Sequence, residues 1–219
     1  MKKTNALSFA TMSLLSIIGG TAVAQPAESV RQRVPAVDDA LEITISGSYQ
    51  QNEGDLADSG SQPDVAGPGG GGALSVGYRI TPNLNLAAYG SIAGFAGDGS
   101  DSDSASLTGG IKADWHFLPA GYVDPWASLG AGIKGQWIGD REELARTVIG
   151  VELAKAQLGV DFRVNPSFAI GPVIGASATL NTHEDTSMTS AYQEIDDKKV
   201  SWTFTAGVLG RFDLLGTRR

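Results

Sequence analysis

Ten charged residues recur at alternate positions in segments that are otherwise rich in apolar side chains. They are Glu42, Arg79, Lys112, Asp114, Lys134, Lys155, Asp161, Arg163, Arg211 and Asp213. Alternate residues of a β-strand point to the same face, so these side chains would share one interior. Charges in a narrow interior must be paired, because an unpaired buried charge costs several kcal/mol. We therefore expect a cross-linked polar lumen, and the alternative is that some of the ten line a path for solutes.

Two histidines are the residues that could support acid–base catalysis. His116 ends an alternating segment, where it fits a structural role in the interior or at the membrane interface. His183 lies in a polar stretch beside Glu184 and Asp185, with several serines and threonines close by. A nucleophile needs a base within hydrogen-bond reach and a rigid support, and a long polar stretch supplies neither. We therefore expect a protein that is not an enzyme and needs no cofactor.

An acidic cluster and a glycine run lie in the polar stretches between the segments. Asp98, Asp101 and Asp103 could place oxygens around a calcium ion, but they lack EF-hand spacing and a closing Glu. A solvated loop is therefore favoured over a metal site. The run Gly69 to Gly72 is not a phosphate-binding loop, because no Lys-Ser/Thr pair follows it and a strand pattern comes next. We expect a flexible loop that leads into this strand.

The two ends of the chain are expected to lie outside the folded domain. Residues 1–24 have the positive start, the mostly apolar stretch and the small final residues of a secretory signal, so cleavage before Gln25 is expected. The alternative, an uncleaved anchor, is disfavoured because the apolar stretch is too short for a stable span. Residues 25–40 would form a mobile periplasmic lead-in, and 215–219 a short C-terminal tail.

Composition limits the partners of the mature chain. The net charge is -8, and loss of Lys2 and Lys3 with the signal makes it -10. Phosphate backbones would be repelled, so we expect no nucleic-acid partner. The absence of cysteine excludes disulfides, thiolate metal sites and cysteine lipidation.

Eight segments alternate between apolar and polar residues with a period of two, the signature of strands with two different faces. Each is about ten residues or a little longer, the length that a tilted strand needs to cross a bilayer. We therefore predict an all-β fold, an eight-stranded antiparallel up-and-down transmembrane barrel over residues 41–214. The predicted strands cover 41–51, 73–80, 84–95, 106–117, 128–137, 154–163, 167–180 and 200–214.

The connections between these segments alternate in length, which sorts them onto two ends of the barrel. The long stretches are 52–70, 96–104, 139–148 and 181–199, and the shorter ones are 81–83, 118–124 and 164–166. Outer-membrane barrels have short periplasmic turns and long external loops. The four long stretches carry 15 acidic and 4 basic residues, so we expect acidic external loops that contact cations or lipid.

Aromatic residues cluster at both ends of the predicted strands, as in the aromatic girdles of membrane barrels. The alternative is a soluble barrel, such as a periplasmic lipocalin-like carrier, in which the apolar face would point inward. Trp126 lies at the level of the periplasmic girdle, but its place in the alternation turns it inward. The predicted girdle residues are Tyr49, Tyr78, Trp115, Phe117, Trp137, Phe162, Phe168, Trp202 and Phe212.

The run HFLP at 116–119 leads into DPWASLGAG at 124–132, a His-Phe-x-Pro strand end followed by a Pro-aromatic start and a Gly-x-Gly strand. This arrangement resembles the mid-barrel turn of OmpW-type proteins, and IGP at 170–172 is similar to the wider OmpA/OmpW-like group. The resemblance implies an eight-stranded monomeric barrel and, for the OmpW type, passage of small hydrophobic molecules. The chain departs from the pattern in the seven residues after Phe212 and in its charged interior face.

Two classes of function fit such a barrel in a Gram-negative outer membrane. One is a narrow, porin-like carrier or channel for small solutes, including hydrophobic ones, which the OmpW-like turn favours. The alternative is a structural or surface-interaction barrel with a plugged, salt-bridged lumen and acidic external loops. Outer-membrane lipids, including lipopolysaccharide, are the expected partners in either case.

Overall fold

The computed structural model describes residues 37–57, 60–61, 67–96, 103–139, 146–186, 193–195 and 198–218. These residues form eight long strands: β1 (Ala40–Ala57), β2 (Pro68–Thr81), β3 (Leu84–Ala96), β4 (Asp103–His116), β5 (Val123–Gly139), β6 (Arg146–Asn165), β7 (Phe168–Thr186) and β8 (Val200–Leu214). Each strand pairs antiparallel with the next, and β8 also pairs with β1, so the sheet closes on itself. The predicted eight-stranded barrel is confirmed. The predicted signal segment and residues 25–36 of the predicted lead-in lie outside the described residues.

No helix among the described residues has the length and apolar character that crossing a membrane would require.

In β1 and β4 polar residues face the lumen and mostly apolar residues face outward. In β4, Lys112 and Asp114 are buried inside, whereas Ile111, which directly precedes Lys112, is 71 % exposed. In β8, Arg211 is buried, and Phe204 and Val208 are about half exposed on the outside. Such a continuous apolar outer surface is unfavourable in water and is matched by the hydrocarbon of a bilayer.

The two ends of the barrel differ in their connections. We call the end with the β2–β3, β4–β5 and β6–β7 turns the turn end, and the other the loop end; short turns face the periplasm in outer-membrane barrels. The 20 residues of β6, at about 3.3 Å per residue and a tilt of about 40°, reach roughly 50 Å along the barrel axis. The strand therefore extends well beyond an apolar band of about 25 Å.

The glycine run Gly69 to Gly72 is part of β2, so the predicted flexible loop at this position is wrong. These residues pair with β1 on one side and β3 on the other. A Cβ atom on Gly71 would lie 2.7 Å from Gln50 Nε2 and 2.9 Å from Ala93 Cβ. Close packing therefore explains the glycine at position 71.

A β-bulge interrupts β6, which begins at Arg146, well before the predicted start at 154. Leu153 and Ala154 both face outward, opposite Ala131 of β5. Glu152 and Lys155 on either side of the bulge both point inward, although a strict period of two would put them on opposite faces. Because the bulge changes the alternation, a search for a period of two does not detect the first part of β6.

The segments next to the barrel at the turn end pair with each other. Val37–Asp38 and Thr217–Arg218 form a two-stranded antiparallel ribbon, within the predicted lead-in and tail. Asp39 and Leu215 have φ of 52° and 60°, a left-handed conformation that costs roughly 1–2 kcal/mol for a non-glycine residue. The Val37 side chain, 2 % exposed, fills the space beside Gly216. Packing of the ribbon offsets this backbone strain.

Candidate functional site in the barrel lumen

The ten charged residues predicted for the interior lie inside the barrel; nine are buried and Lys155 is partly exposed. Seven of them join His116 and Asp124 in a connected cluster close to the turn end, which we call the ionic layer. Its members are Glu42, Arg79, Asp114, His116, Asp124, Asp161, Arg163, Arg211 and Asp213. Lys112, Lys134 and Lys155 lie on the loop side of this layer.

Arg211 of β8 lies at the centre of the ionic layer. Its guanidinium donates to Glu42 of β1, and its Nε lies 2.7 Å from Asp161 Oδ2 of β6. Its Nη1 lies 3.7 Å from Asp114 Oδ2 of β4. The Arg211 Cζ is 5.0 Å from the ring centroid of Trp126, whose Nε1 donates to Asp161 Oδ1 at 2.9 Å. One side chain thus links four of the strands across the lumen, and β5 joins through the indole.

The other two arginines complete the pairing of the carboxylates. Arg79 Nη2 lies 2.5 Å from Glu42 Oε2 and 3.3 Å from Asp213 Oδ1. Arg163 Nη1 lies 2.9 Å from Asp213 Oδ2. Glu42 therefore lies between the guanidiniums of Arg79 and Arg211, and Asp213 between those of Arg79 and Arg163. Such paired contacts offset the cost of removing the charges from water.

His116 and Asp124 form a buried pair at the edge of the ionic layer. His116 Nδ1 lies 2.8 Å from Asp124 Oδ2, and its Nε2 lies 3.4 Å from Arg79 Nη2 and 3.2 Å from Arg211 Nη1. Guanidinium groups can only donate, so Nε2 accepts, Nδ1–H donates to Asp124 and the ring is neutral. Asp124 Oδ1 also accepts from the Leu118 backbone N–H at 3.0 Å. The pair anchors the β4–β5 turn.

Tyr89 and Glu152 form a second contact across the wall, nearer the loop end. The Tyr89 hydroxyl donates to Glu152, and Lys155 Nζ lies 4.3 Å from the tyrosine ring centroid. Tyr89, Gly110, Gly132 and Glu152 are successive partners across β3 to β6. A Cβ on either glycine would lie 2.8 Å from the Tyr89 hydroxyl. The tyrosine side chain therefore lies over the two glycines, where no side chain blocks its way to Glu152.

Sequence reasoning missed both ends of this contact. The segment that contains Tyr89 is rich in alanine and glycine and alternates weakly, so the pattern does not indicate which of its faces points inward. Glu152 precedes the bulge, which shifts it onto the inner face. Once the register is known, two glycines lie at successive paired positions beside Tyr89. This signal could have predicted that the tyrosine side chain points inward over them.

Neutral polar residues extend the network beyond the charges that the pattern predicted. Lys134 Nζ donates to Thr203 Oγ1 at 3.0 Å, and the Thr203 hydroxyl donates to Asn52 Oδ1 at 2.6 Å. Asn85 Nδ2 lies 2.8 Å from Glu42 Oε1, within the ionic layer. Asn52 falls in a stretch predicted as loop, and Asn85 in the weakly alternating third segment. Their amides therefore gave no periodic signal.

The predicted girdle residues lie on the outer surface, away from this site. Phe168 is less exposed than the others because its ring packs on Phe212, with a centroid distance of 4.8 Å. Trp126 lies at the level of the periplasmic girdle but is buried in the lumen, as its position in the alternation predicts. The outer wall therefore carries aromatic rings near both ends.

The candidates in the loop-end connections are only partly within the described chain. Asp98 and Asp101 lie outside the described residues, and of Asp103 only the backbone at the start of β4 is described. His183 is exposed on β7, with Nδ1 3.0 Å from Thr182 Oγ1. In the β7–β8 connection, a hydrogen bond from Lys198 lowers the pKa of the exposed Glu194 carboxyl below its usual value.

The ionic layer closes the lumen at its level. The exposed fraction is 0 % for Arg79 and Asp114 and 1 % for Arg211. A water-filled passage would run along these side chains and expose them. An eight-stranded barrel is just wide enough for its own side chains to fill. Among the side chains that the structure describes, this cluster cross-links strands, and its His116–Asp124 pair is fully buried.

Among the comparisons with known proteins, the solved structures gave matches. No protein-family model matches this chain, and no curated protein matches it. The crystal structure of Neisserial surface protein A is similar with a TM-score of 0.54 and 17% identity, over 80% of this chain and 97% of that chain. Ail of Yersinia pestis (18% identity, 80% and 99% covered) and OprG of Pseudomonas aeruginosa (11%, 80% and 97%) have TM-scores of 0.45 and 0.44. The likeness to Neisserial surface protein A shows that the chain has the fold of a small bacterial outer-membrane β-barrel, as its resemblance to the OmpW/OmpA-like group predicts.

Proposed function

We propose that this protein is an outer-membrane barrel with a closed lumen, whose role is structural or lies in contacts at its surface. The dehydrated ionic layer carries this proposal. Its arginine and carboxylate side chains fill the cross-section near the turn end and are 0–6 % exposed. A solute that crossed the lumen would have to displace them.

The energy needed to open the layer supports a permanently closed state. Separating one buried ion pair costs on the order of 3–5 kcal/mol, because each charge is left without a partner. Arg211 contacts three carboxylates and Arg79 contacts two. Moving either arginine aside therefore breaks several contacts at once, which makes spontaneous opening rare.

The loop end is the part of the molecule that we assign to contacts with the surroundings. The long connections are acidic, and carboxylates beside the phosphates of lipopolysaccharide can share divalent cations with them. The apolar outer wall supports residence in the outer membrane, and the sealed His116–Asp124 pair supports a role without catalysis. The protein would act as a monomer in this setting.

A carrier for small hydrophobic solutes is the alternative function. The OmpW-like turn in the sequence favours it, whereas the charged layer at the turn end disfavours an apolar path along the barrel axis. Such a carrier would need an exit through the wall above the ionic layer.

Solute flux into liposomes that contain the refolded mature protein separates these functions. A small hydrophobic dye and a small hydrophilic sugar are compared, with empty liposomes and a wide porin as controls. We expect neither solute to enter faster than into empty liposomes. Selective entry of the dye would overturn the proposal in favour of a carrier, and entry of both would indicate an open pore. Folding is checked beforehand by resistance to SDS until the sample is heated.

A further inference from the structure

Two lysines on the loop side of the ionic layer face the lumen without a carboxylate in ion-pair contact, although the charge of Glu152 attracts both of them. No described Asp or Glu oxygen lies within 4.0 Å of the Nζ of Lys134 or Lys155. Lys112 differs from them, because its Nζ lies 2.9 Å from Asp114 Oδ2. Lys134 is only 6 % exposed, so its charge is removed from bulk water. An ammonium group buried in this way requires compensation from its surroundings.

Both lysines line one internal cavity of about 50 Å³. This volume has room for roughly four water-sized occupants. The wall offers many hydrogen-bond donors, because hydroxyl and amide side chains surround the space. Those besides the lysines include Ser48, Ser106, Thr108, Gln157, Ser177 and Thr205.

The charges around this cavity do not balance. Glu152 is the one carboxylate that lines it among the described residues, and it accepts the hydrogen bond of Tyr89. Two ammonium groups against one carboxylate leave a single positive charge. Water molecules can solvate that charge but cannot neutralise it, whereas a monovalent anion can do both.

Hydrogen bonding directs Lys134 toward the cavity. The Thr203 hydroxyl donates to Asn52 Oδ1, so its oxygen is held as the acceptor for one N–H of Lys134. An ammonium group has three N–H donors, and two remain for an occupant of the cavity. We propose that the cavity binds one small monovalent anion of the halide class between Lys134 and Lys155.

Chloride-dependent stability of the refolded mature protein tests this site. The unfolding temperature is measured as chloride replaces gluconate at constant ionic strength, so that screening stays equal. Because a ligand that binds the folded state stabilises it, the unfolding temperature should rise with chloride and then saturate. Lys134→Met should abolish this rise. The matched control Lys112→Met should keep it, since Asp114 already compensates Lys112.

Glu152→Gln provides a variant that should strengthen binding. The amide oxygen of the glutamine can still accept the Tyr89 hydrogen bond, but the negative charge beside the cavity is lost. The chloride concentration that gives half of the stabilisation should fall several-fold. An unchanged or higher concentration would contradict the role of the charge imbalance.

Bromide-soaked crystals locate the anion directly. An anomalous peak between the Nζ atoms of Lys134 and Lys155, absent from Lys134→Met crystals, is the expected result. The proposal is overturned if the cavity holds no bromide, or if bromide lies only elsewhere. A chloride dependence that is absent in the wild type, or equal in Lys134→Met, would overturn it as well.

Discussion

At Arg211 a single guanidinium meets three carboxylates and the face of an indole ring. Its planar group donates to Glu42 and at the same time places Nε 2.7 Å from Asp161 Oδ2, which the single ammonium group of a lysine cannot do. Trp126 lies beside the guanidinium and holds the second oxygen of Asp161. The chemical identity of this residue, and not its charge alone, therefore determines whether the ionic layer is complete.

Replacement of Arg211 by Met is expected to destabilise the barrel by about 3–5 kcal/mol, because three buried carboxylates lose a shared partner. Arg211→Lys should recover part of this loss, since it keeps the charge but cannot contact all of these carboxylates. Urea unfolding in lipid vesicles gives the free energies. The control Lys198→Met removes an exposed ion pair with Glu194 and should cause no measurable change. Equal stability of Arg211→Met and the wild type would contradict this interpretation of the layer.

The strands combine a regular alternation with a few local departures that decide the shape of the lumen. The alternation predicts which residues of β1, β4 and β8 point inward, and in them the prediction follows from the period of two alone. In β6 it fails before residue 154, because Leu153 and Ala154 both face outward at a bulge. Bulges depend on the register between neighbouring strands. This register cannot be derived from the periodicity of one strand alone.

Small residues set a second limit on prediction from sequence. Gly69 to Gly72 have the composition of a loop, yet they pair as part of β2, and neighbouring atoms leave no room for a Cβ at Gly69 and Gly71. In β3 the alanines at 87 and 93 face inward, so the inner and outer faces of this strand have similar apolar composition. The sequence pattern therefore does not predict that Tyr89 points inward. The charged members of the site could be predicted because charge is rare on a strand. Its neutral members, Asn52 and Asn85, could not.

Gly159 of β6 offers a test of how tightly these elements fit together. A Cβ there would lie 2.4 Å from Trp126 Cζ2, so the indole would have to move away from Asp161. Gly159→Ala is expected to cost about 1–3 kcal/mol of unfolding free energy, with a change in tryptophan fluorescence. Gly47→Ala is the matched control, since no atom lies within 4 Å of its Cβ position. It should be neutral or stabilise by up to about 1 kcal/mol; equal effects of the two variants would contradict the packing described here.

The molecule as a whole divides into two zones along its axis. The turn end is closed by the ionic layer, and the loop end contains the cavity between Lys134 and Lys155. The outer wall is apolar over its length, with aromatic rings near both ends. Strands that extend beyond the apolar band support the long acidic connections. In the proposed function, the interior stabilises the barrel and the loop end makes the external contacts.

The conductance of single refolded barrels in a planar lipid bilayer tests the closed lumen most directly. The double variant Arg211→Ala/Trp126→Ala, which removes the central pair of side chains from the layer, serves as the opened comparison. Both proteins are first shown to resist SDS until heated, so that only folded barrels are compared. We predict no current steps above the bare bilayer for the wild type, and stable steps for the double variant. Sustained ohmic steps in the wild type would contradict a lumen closed by the ionic layer.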